Sequence, residues 1–297
     1  MFTTGNELLA VCWEHNCSIA QAVLMREEQL SGRSEKQIRQ ELREVLAVMR
    51  ASSRKAVGQP VQTVGSMIQG DSQRMSRYLK RGRTLCGDSV NTAMMRALSS
   101  CEVNASMGRI CAAPTAGSCG IVPAVLFTCA EKFFLNDRQL QDALLTASGI
   151  GIIIAQNATV SGAEGGCQAE CGAAAAMAAA AAVQAMGGAP EISLHAAAIS
   201  LKNVMGLVCD PIAGLVESPC AKRNASGAVN AMVSADLAMA GIRSAIPFDE
   251  VVDAMYRVGR MLPTQLRETA LGGVAATPTG KKIARSIFGE QRVAENV

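Results

Sequence analysis

The first part of the chain has apolar and polar positions in a helical pattern. Apolar residues recur every three or four positions, with charged residues between them, at Ile38, Leu42, Val45, Leu46 and Met49. This pattern predicts an amphipathic helix of roughly four turns, and Ser34 and Gln37 form a capping box at its start. Residues 7–29 also have helical spacing. Residues 1–83 are therefore predicted to form a helical N-terminal segment.

The pattern changes near residue 84, where charges become rarer and glycine and alanine more frequent. Short loops with glycine or proline separate seven stretches of helical spacing: 88–107, 120–135, 138–155, 171–186, 191–206, 226–242 and 248–261. No stretch alternates convincingly with period two, so strands are not predicted. We predict an all-α, multi-helix fold with one domain over residues 1–289, its core over 84–289, and a disordered tail over 290–297.

Composition supports a helical protein and narrows its partners. Hydrophobic residues make up 49% of the chain but aromatic residues only 3%, so small and aliphatic side chains must build the core. A formal charge of +3 is too balanced to indicate binding to nucleic acid or to an anionic membrane. The basic stretch 74–83 lacks interleaved aromatic residues and is interpreted as a solvated helix face.

Three stretches without charged residues are each about as long as a helix that spans a bilayer. They are 110–130, 143–163 and 171–190. The first contains Pro114 and Pro123, the second Gln156 and Asn157, and the third is mostly alanine. Buried helices and glycine-rich loops explain these stretches better than membrane spans. A membrane transport protein remains an alternative at this point.

Eleven cysteines stand out in a chain whose start does not look like a secretory signal. We therefore expect a reducing, cytoplasmic location, where thiols are core residues, catalysts or metal ligands. No Cys-x2-Cys pair is present, which disfavours structural zinc. Cys167, Cys209 and Cys220 are candidate ligands because the stretch 208–220, VCDPIAGLVESPC, is a stiffened loop with a thiol near each end. Spacing alone leaves open that all three are buried packing residues.

Long motifs resemble a known family over nearly the whole chain, from about residue 5 to Gly289. They are APTAGSCG (113–120), SGAEGGCQAECG (161–172), LKNVMGLVCDPIAGLVESPCAKRNASGAVNA (201–231) and LRETALGGVAATPTG (266–280). The chain is similar to the α chain of bacterial iron–sulfur L-serine dehydratases. The resemblance implies deamination of L-serine to pyruvate and ammonia, in serine degradation and gluconeogenesis, without pyridoxal phosphate.

The resemblance also implies a cofactor and its ligands. In this family three cysteines hold a [4Fe–4S] cluster with one open iron, and the motifs assign them to Cys167, Cys209 and Cys220. The open iron would act as a Lewis acid on the β-hydroxyl of serine. The other eight cysteines are interpreted as packing residues. A related cluster-dependent lyase for cysteine or another β-substituted amino acid is the nearest alternative.

The family's histidine-bearing catalytic motif is absent from this chain, so a separate β chain is expected in a hetero-oligomer. Lys202 is an in-chain candidate for a base or for charge stabilisation, or else a surface or capping lysine. Thr115, Ser118 and Asn224 are candidate substrate-binding residues. Thr115 or Ser118 could instead cap a helix, and Asn224 could belong to a charged turn. The stretch 272–282, GGVAATPTGKK, does not have the spacing of a phosphate-binding loop.

Overall fold

The computed structural model describes residues 1–289, and this part of the chain is helical as predicted. Its only strand-like pairing is an isolated bridge between Cys209 and Arg267. The predicted tail, residues 290–297, lies outside the described residues. The α-helices of the described part are α1 Gly5–Glu14, α2 Ile19–Ser31, α3 Glu35–Gly58, α4 Asp71–Leu79, α5 Gly87–Ala105, α6 Ile121–Lys132, α7 Asp137–Asn157, α8 Gly162–Gly165, α9 Ala173–Ala185, α10 Pro190–Lys202, α11 Cys220–Met239, α12 Phe248–Met261 and α13 Pro278–Phe288.

Local capping signals set several helix boundaries. The predicted capping box of Ser34 and Gln37 is present at the start of α3. Residues 7–29 divide into two helices, because Ser18 and Gln21 form a second capping box at the start of α2. Asn16, in the connection between them, has a φ of 44°, in the left-handed region that does not continue a right-handed helix.

Helix α9 lies at the centre of the packing. Its sequence is AAAAMAAAAAVQA, and the side chains from Ala173 to Val183 are buried. It packs against α6, α7, α10 and α11. A helix that is apolar on all sides is stable only when it is surrounded, and alanine lets the neighbouring backbones approach closely. The uncharged stretch 171–190 is thus explained by burial within protein.

The N-terminal segment packs on the rest of the protein. Helices α3 and α4 both pack against α5, and α2 packs against α7. None of the helices in residues 1–289 is both long enough and apolar enough to cross a membrane.

Three irregular segments approach one another near the start of α9. A π-helical turn, Gln168–Gly172, leads directly into α9. The segment 203–219 connects α10 to α11, and the segment 262–277 connects α12 to α13. The last two are joined because the Cys209 N–H donates to the Leu266 carbonyl at 2.9 Å and the Glu268 N–H to the Cys209 carbonyl at 2.7 Å.

Candidate functional site

The structure buries the predicted ligands Cys167, Cys209 and Cys220. Cys167 precedes the π-helical turn, Cys209 lies between α10 and α11, and Cys220 is the first residue of α11. All three are buried, with exposures of 3%, 3% and 8%. Burial, followed by the charge of Cys167, raises the pKa of Cys209, and the same two causes raise the pKa of Cys220 to about 12. The three thiols, from segments distant in sequence, therefore lie near enough for the charge of Cys167 to act on the other two.

Cys167 is the thiol most disposed to lose its proton. A hydrogen bond from Cys171 lowers the pKa of Cys167, and the charge of Arg223 lowers it further, although burial opposes both. Cys171, interpreted from sequence as a packing residue, is buried and also lies 3.9 Å from Nδ2 of Asn224. The site therefore favours negative charge on Cys167.

Arg223 is the cation beside these thiols, and several bonds hold it in place. It forms an ion pair with the buried Asp210 at 2.7 Å and donates from Nη1 to the Val208 carbonyl at 2.7 Å. Asp210 in turn accepts from the Val274 N–H at 2.7 Å. A buried charge must be paired, so Asp210 fixes a positive charge next to Cys167.

Two glutamates that sequence reasoning missed lie beside Cys209. Oε1 of Glu170 accepts from the Thr115 hydroxyl at 2.7 Å, and its Oε2 lies 3.8 Å from the Cys209 sulfur. Burial raises the pKa of Glu170. One carboxylate oxygen each of Glu170 and Glu268 and the Cys209 sulfur all lie within 4.8 Å of one another. The available signal was their position inside the quoted motifs, GGCQAE and LRET.

The three predicted substrate-binding residues lie around the same loop, 113–120. Thr115 and Ser118 form a capping box on the short 3-10 helix Ala116–Ser118, so the capping interpretation is correct for this pair. Asn224 is fully buried; its Oδ1 accepts from the Gly120 N–H at 2.9 Å, and its Nδ2 donates to the Gly117 carbonyl at 2.7 Å. Asn224 thus fixes the loop that presents Thr115 to Glu170. Contact of these residues with a substrate stays a prediction.

Comparison with known proteins identifies the family. The family model described as serine dehydratase alpha chain matches residues 14–275. The chain is 51% identical over 290 residues to the L-serine dehydratase alpha chain of Peptoniphilus asaccharolyticus. The aligned residues cover 98% of this chain and 99% of that protein. The chain belongs to the serine dehydratase α-chain family.

Other members of the serine dehydratase family differ in length. The probable L-serine dehydratase alpha chain of Bacillus subtilis is 47% identical over 289 residues, covering 97% of this chain and 96% of that protein. The L-serine dehydratase of Streptomyces coelicolor is 37% identical over 286 residues, covering 92% of this chain but only 60% of its own length. The family therefore includes chains of this length and longer chains that contain a further part.

Lys202, a candidate for a base or for charge stabilisation, lies at the end of α10. Its Nζ donates to the Ser244 carbonyl, and the Ser244 N–H donates to Nδ1 of His195 at 3.3 Å. Within residues 1–289, its ammonium has no hydrogen bond or ion pair with the three thiols or with the two glutamates. The catalytic assignment of Lys202 stays a prediction.

The donor set of the site fits the cofactor that the resemblance implies. Iron–sulfur clusters are held by cysteine thiolates, and three buried cysteines meet here with a fixed cation beside them. Cys220 is buried, and its carbonyl accepts from Nδ2 of Asn224 at 2.9 Å, which fixes the first turn of α11 where this thiol lies. Cys167, Cys209 and Cys220 are the residues that would hold such a group.

Proposed function

We propose that this chain is the α chain of an L-serine dehydratase, a lyase that removes water from L-serine to give pyruvate and ammonia. The names of full-length relatives support this substrate. The observation that carries the proposal is that three buried thiols, from segments far apart in sequence, lie near enough for the charge of Cys167 to act on the other two. In the proposal, these thiols hold a [4Fe–4S] cluster, and no pyridoxal phosphate takes part.

The cofactor and the chain would divide the chemistry between them. When bound through three cysteines, the cluster would supply an open iron as a Lewis acid toward the departing β-hydroxyl. Arg223 would balance the negative charge of the thiolates, since it lies against Cys167 and is held by Asp210. Thr115 would orient Glu170 so that its second oxygen faces the thiols and the substrate space.

The α-proton of serine must also be removed, and the base is proposed to come from Lys202 or from a second chain. The proposed partner is a separate β chain, giving a hetero-oligomer in the cytoplasm. Two relatives carry the words alpha chain in their names, and this chain covers only 60% of a longer relative named simply as L-serine dehydratase. Both observations support a further chain.

An anaerobic iron and sulfide count tests the ligand set. We expect about four irons and four sulfides per wild-type chain. Cys167→Ala, Cys209→Ala and Cys220→Ala should each lose most of the bound iron, together with pyruvate formation in the presence of the β chain. Cys86→Ala is the matched control, because Cys86 is exposed and distant in sequence from the three proposed ligands.

The same preparations separate the competing functions. A wild-type protein that binds the cluster but forms pyruvate faster from L-cysteine than from L-serine would favour the related lyase. Full retention of iron in one of the three alanine variants would remove that residue from the ligand set. A wild-type chain without iron after anaerobic reconstitution would contradict the proposed cofactor.

A further inference from the structure

A buried carboxylate lies within the loop 209–220, the ligand loop, which carries two of the three proposed ligands. Glu217 is 1% exposed and lies three residues before Cys220. Its main-chain carbonyl accepts from the Ala221 N–H at 3.0 Å, so it belongs to the turn that leads into α11. A buried charge must be paired or hydrogen-bonded, and Glu217 is held by hydrogen bonds.

Three donors from one short segment, 63–67, bind this carboxylate. The Thr63 hydroxyl and the Met67 N–H each donate to Oε2 at 2.9 Å, and the Gly65 N–H donates to Oε1. Hydrogen bonds to an ionised acceptor are among the stronger ones in proteins. Since this segment precedes α4, Glu217 joins the N-terminal segment to the ligand loop.

Segment 63–67 fits closely against the ligand loop. A Cβ atom on Gly65 would lie 3.0 Å from Oε1 of Glu217 and 2.9 Å from Cδ1 of Leu215. Both distances are shorter than ordinary contacts, so the absence of a side chain at Gly65 permits this close approach of the backbone. The neighbouring Val64 N–H donates to the Ala105 carbonyl at 3.0 Å. The carboxylate is therefore bound by a segment that is itself anchored to α5.

The other end of the ligand loop is fixed in a similar way. Asp210 directly follows Cys209, is buried, and accepts from the Val274 N–H at 2.7 Å. Glu217 has the corresponding place before Cys220. Each thiol of the ligand loop thus has a nearby buried carboxylate that ties the chain to a different segment.

Groups that orient metal ligands from outside the coordination sphere have large effects on metal binding. We infer that Glu217 is a positioning residue, which holds Cys220 in the orientation that binds the cluster by tying the ligand loop to segment 63–67; this inference rests on the proposed function. The N-terminal segment then contributes to the cluster site although it supplies no ligand to it.

Iron retention tests this role without relying on activity. The α chain, co-expressed with its partner chain and purified anaerobically, is mixed with an iron chelator, and the rate of iron release is measured. Glu217→Gln keeps the size of the side chain, but an amide accepts at only one of the two positions and donates at the other. Iron release should therefore be faster by about tenfold to a hundredfold. The visible circular dichroism of the bound cluster, which depends on how its ligands are arranged, should also change.

Glu102→Gln is the matched control. Glu102 is also fully buried, and its oxygens accept from the Gly70 N–H at 2.9 Å and the Ser72 N–H at 2.7 Å. It holds the same part of the N-terminal segment, but it lies on α5 rather than in the ligand loop. This variant should release iron at the wild-type rate and should keep the wild-type visible spectrum.

The outcomes separate this inference from the proposed function. Iron release from Glu217→Gln at the wild-type rate overturns the positioning role and leaves the function standing. Equal acceleration in Glu102→Gln also overturns it, because loosening of the N-terminal segment would then be sufficient. A wild type without a four-iron cluster overturns the proposed function and this inference with it.

A second variant decides the question if Glu217→Gln does not fold or is purified without iron. Thr63→Val removes one donor to the carboxylate and leaves the charge of Glu217 and the two main-chain donors in place. Iron release faster than that of the wild type supports the positioning role. Release at the wild-type rate overturns it.

Discussion

At the scale of single residues, two glycines make room for the site. A Cβ atom on Gly162 would lie 2.6 Å from Oε2 of Glu170 and 3.1 Å from the Cys209 sulfur. A Cβ atom on Gly117 would lie 2.9 Å from the other oxygen of Glu170. All three distances are shorter than normal contacts. The space in front of Glu170 and Cys209 therefore exists because these two positions have no side chain.

Substitution of Gly162 tests the importance of that space. Gly162→Ala should displace Glu170 and lower kcat/KM by on the order of tenfold to a hundredfold, because displacements near 1 Å have effects of this size. The fold should persist, since alanine favours the helical backbone of α8. Steady-state kinetics and circular dichroism provide the measurement. Gly58→Ala is the control, because a Cβ atom there meets no neighbour; equal activity of both variants would contradict the prediction.

The site could be predicted from sequence only in part. Motif resemblance selected Cys167, Cys209 and Cys220, which the structure buries, and their role as ligands stays a prediction. The ion pair between Arg223 and Asp210 was not predicted, because a contact between a helix and a loop has no local sequence signal. Glu268 was missed for a similar reason, since only the pairing of 209 with 266–268 places it in the site.

At the scale of elements, periodicity predicted most helices because their buried faces are regular. The prediction of 248–261 matches α12, which begins after Pro247. Two predictions were less accurate. Helix α11 begins at Cys220 rather than at 226. The charged residues and the glycine of KRNASG suggested a turn, but they belong to the first turns of this helix. Helix α13 was not predicted, because proline and glycine are unfavourable inside a helix, although Thr277 caps a helix with Pro278 in its first turn.

Helix α9 makes a specific prediction about packing. Ala178 is fully buried in a helix surrounded by four others, so Ala178→Leu should lower the free energy of unfolding by about 1–3 kcal/mol. Urea denaturation of the metal-free chain measures this change. Ala47→Leu is the control, because Ala47 is exposed on α3, and it should change the free energy of unfolding by less than about 0.5 kcal/mol. Similar losses in both variants would contradict close packing around α9.

At the scale of the whole molecule, buried thiols are spread far beyond the site. Eight cysteines are buried: Cys12, Cys101, Cys119, Cys129, Cys167, Cys171, Cys209 and Cys220. Burial raises the pKa of Cys129 from 9.0 to about 12 and, as the largest cause, raises the pKa of Cys12 and of Cys220 to about 12. The folded protein therefore keeps these thiols neutral where the unfolded chain ionises them.

Stability of the metal-free chain should fall in alkaline solution. Between pH 9 and pH 12 the unfolded state holds fewer protons than the folded state, so the free energy of unfolding decreases as pH rises. Each such thiol contributes a slope of about 1.4 kcal/mol per pH unit. Cys129→Ala should reduce the slope measured by urea denaturation from pH 8 to pH 11. Cys86→Ala, at an exposed position, should leave the slope unchanged; a flat profile in the wild type would contradict the prediction.

The alanine helix behind the site has a consequence for motion. The π-helical turn after Cys167 runs directly into α9, where nearly every side chain is a methyl group. Methyl side chains have no alternative rotamers to populate, and they lose no rotamer entropy on burial. We therefore expect α9 to move little. In the proposed function, access for the amino acid would come from the segments 203–219 and 262–277, which contain only short helical turns.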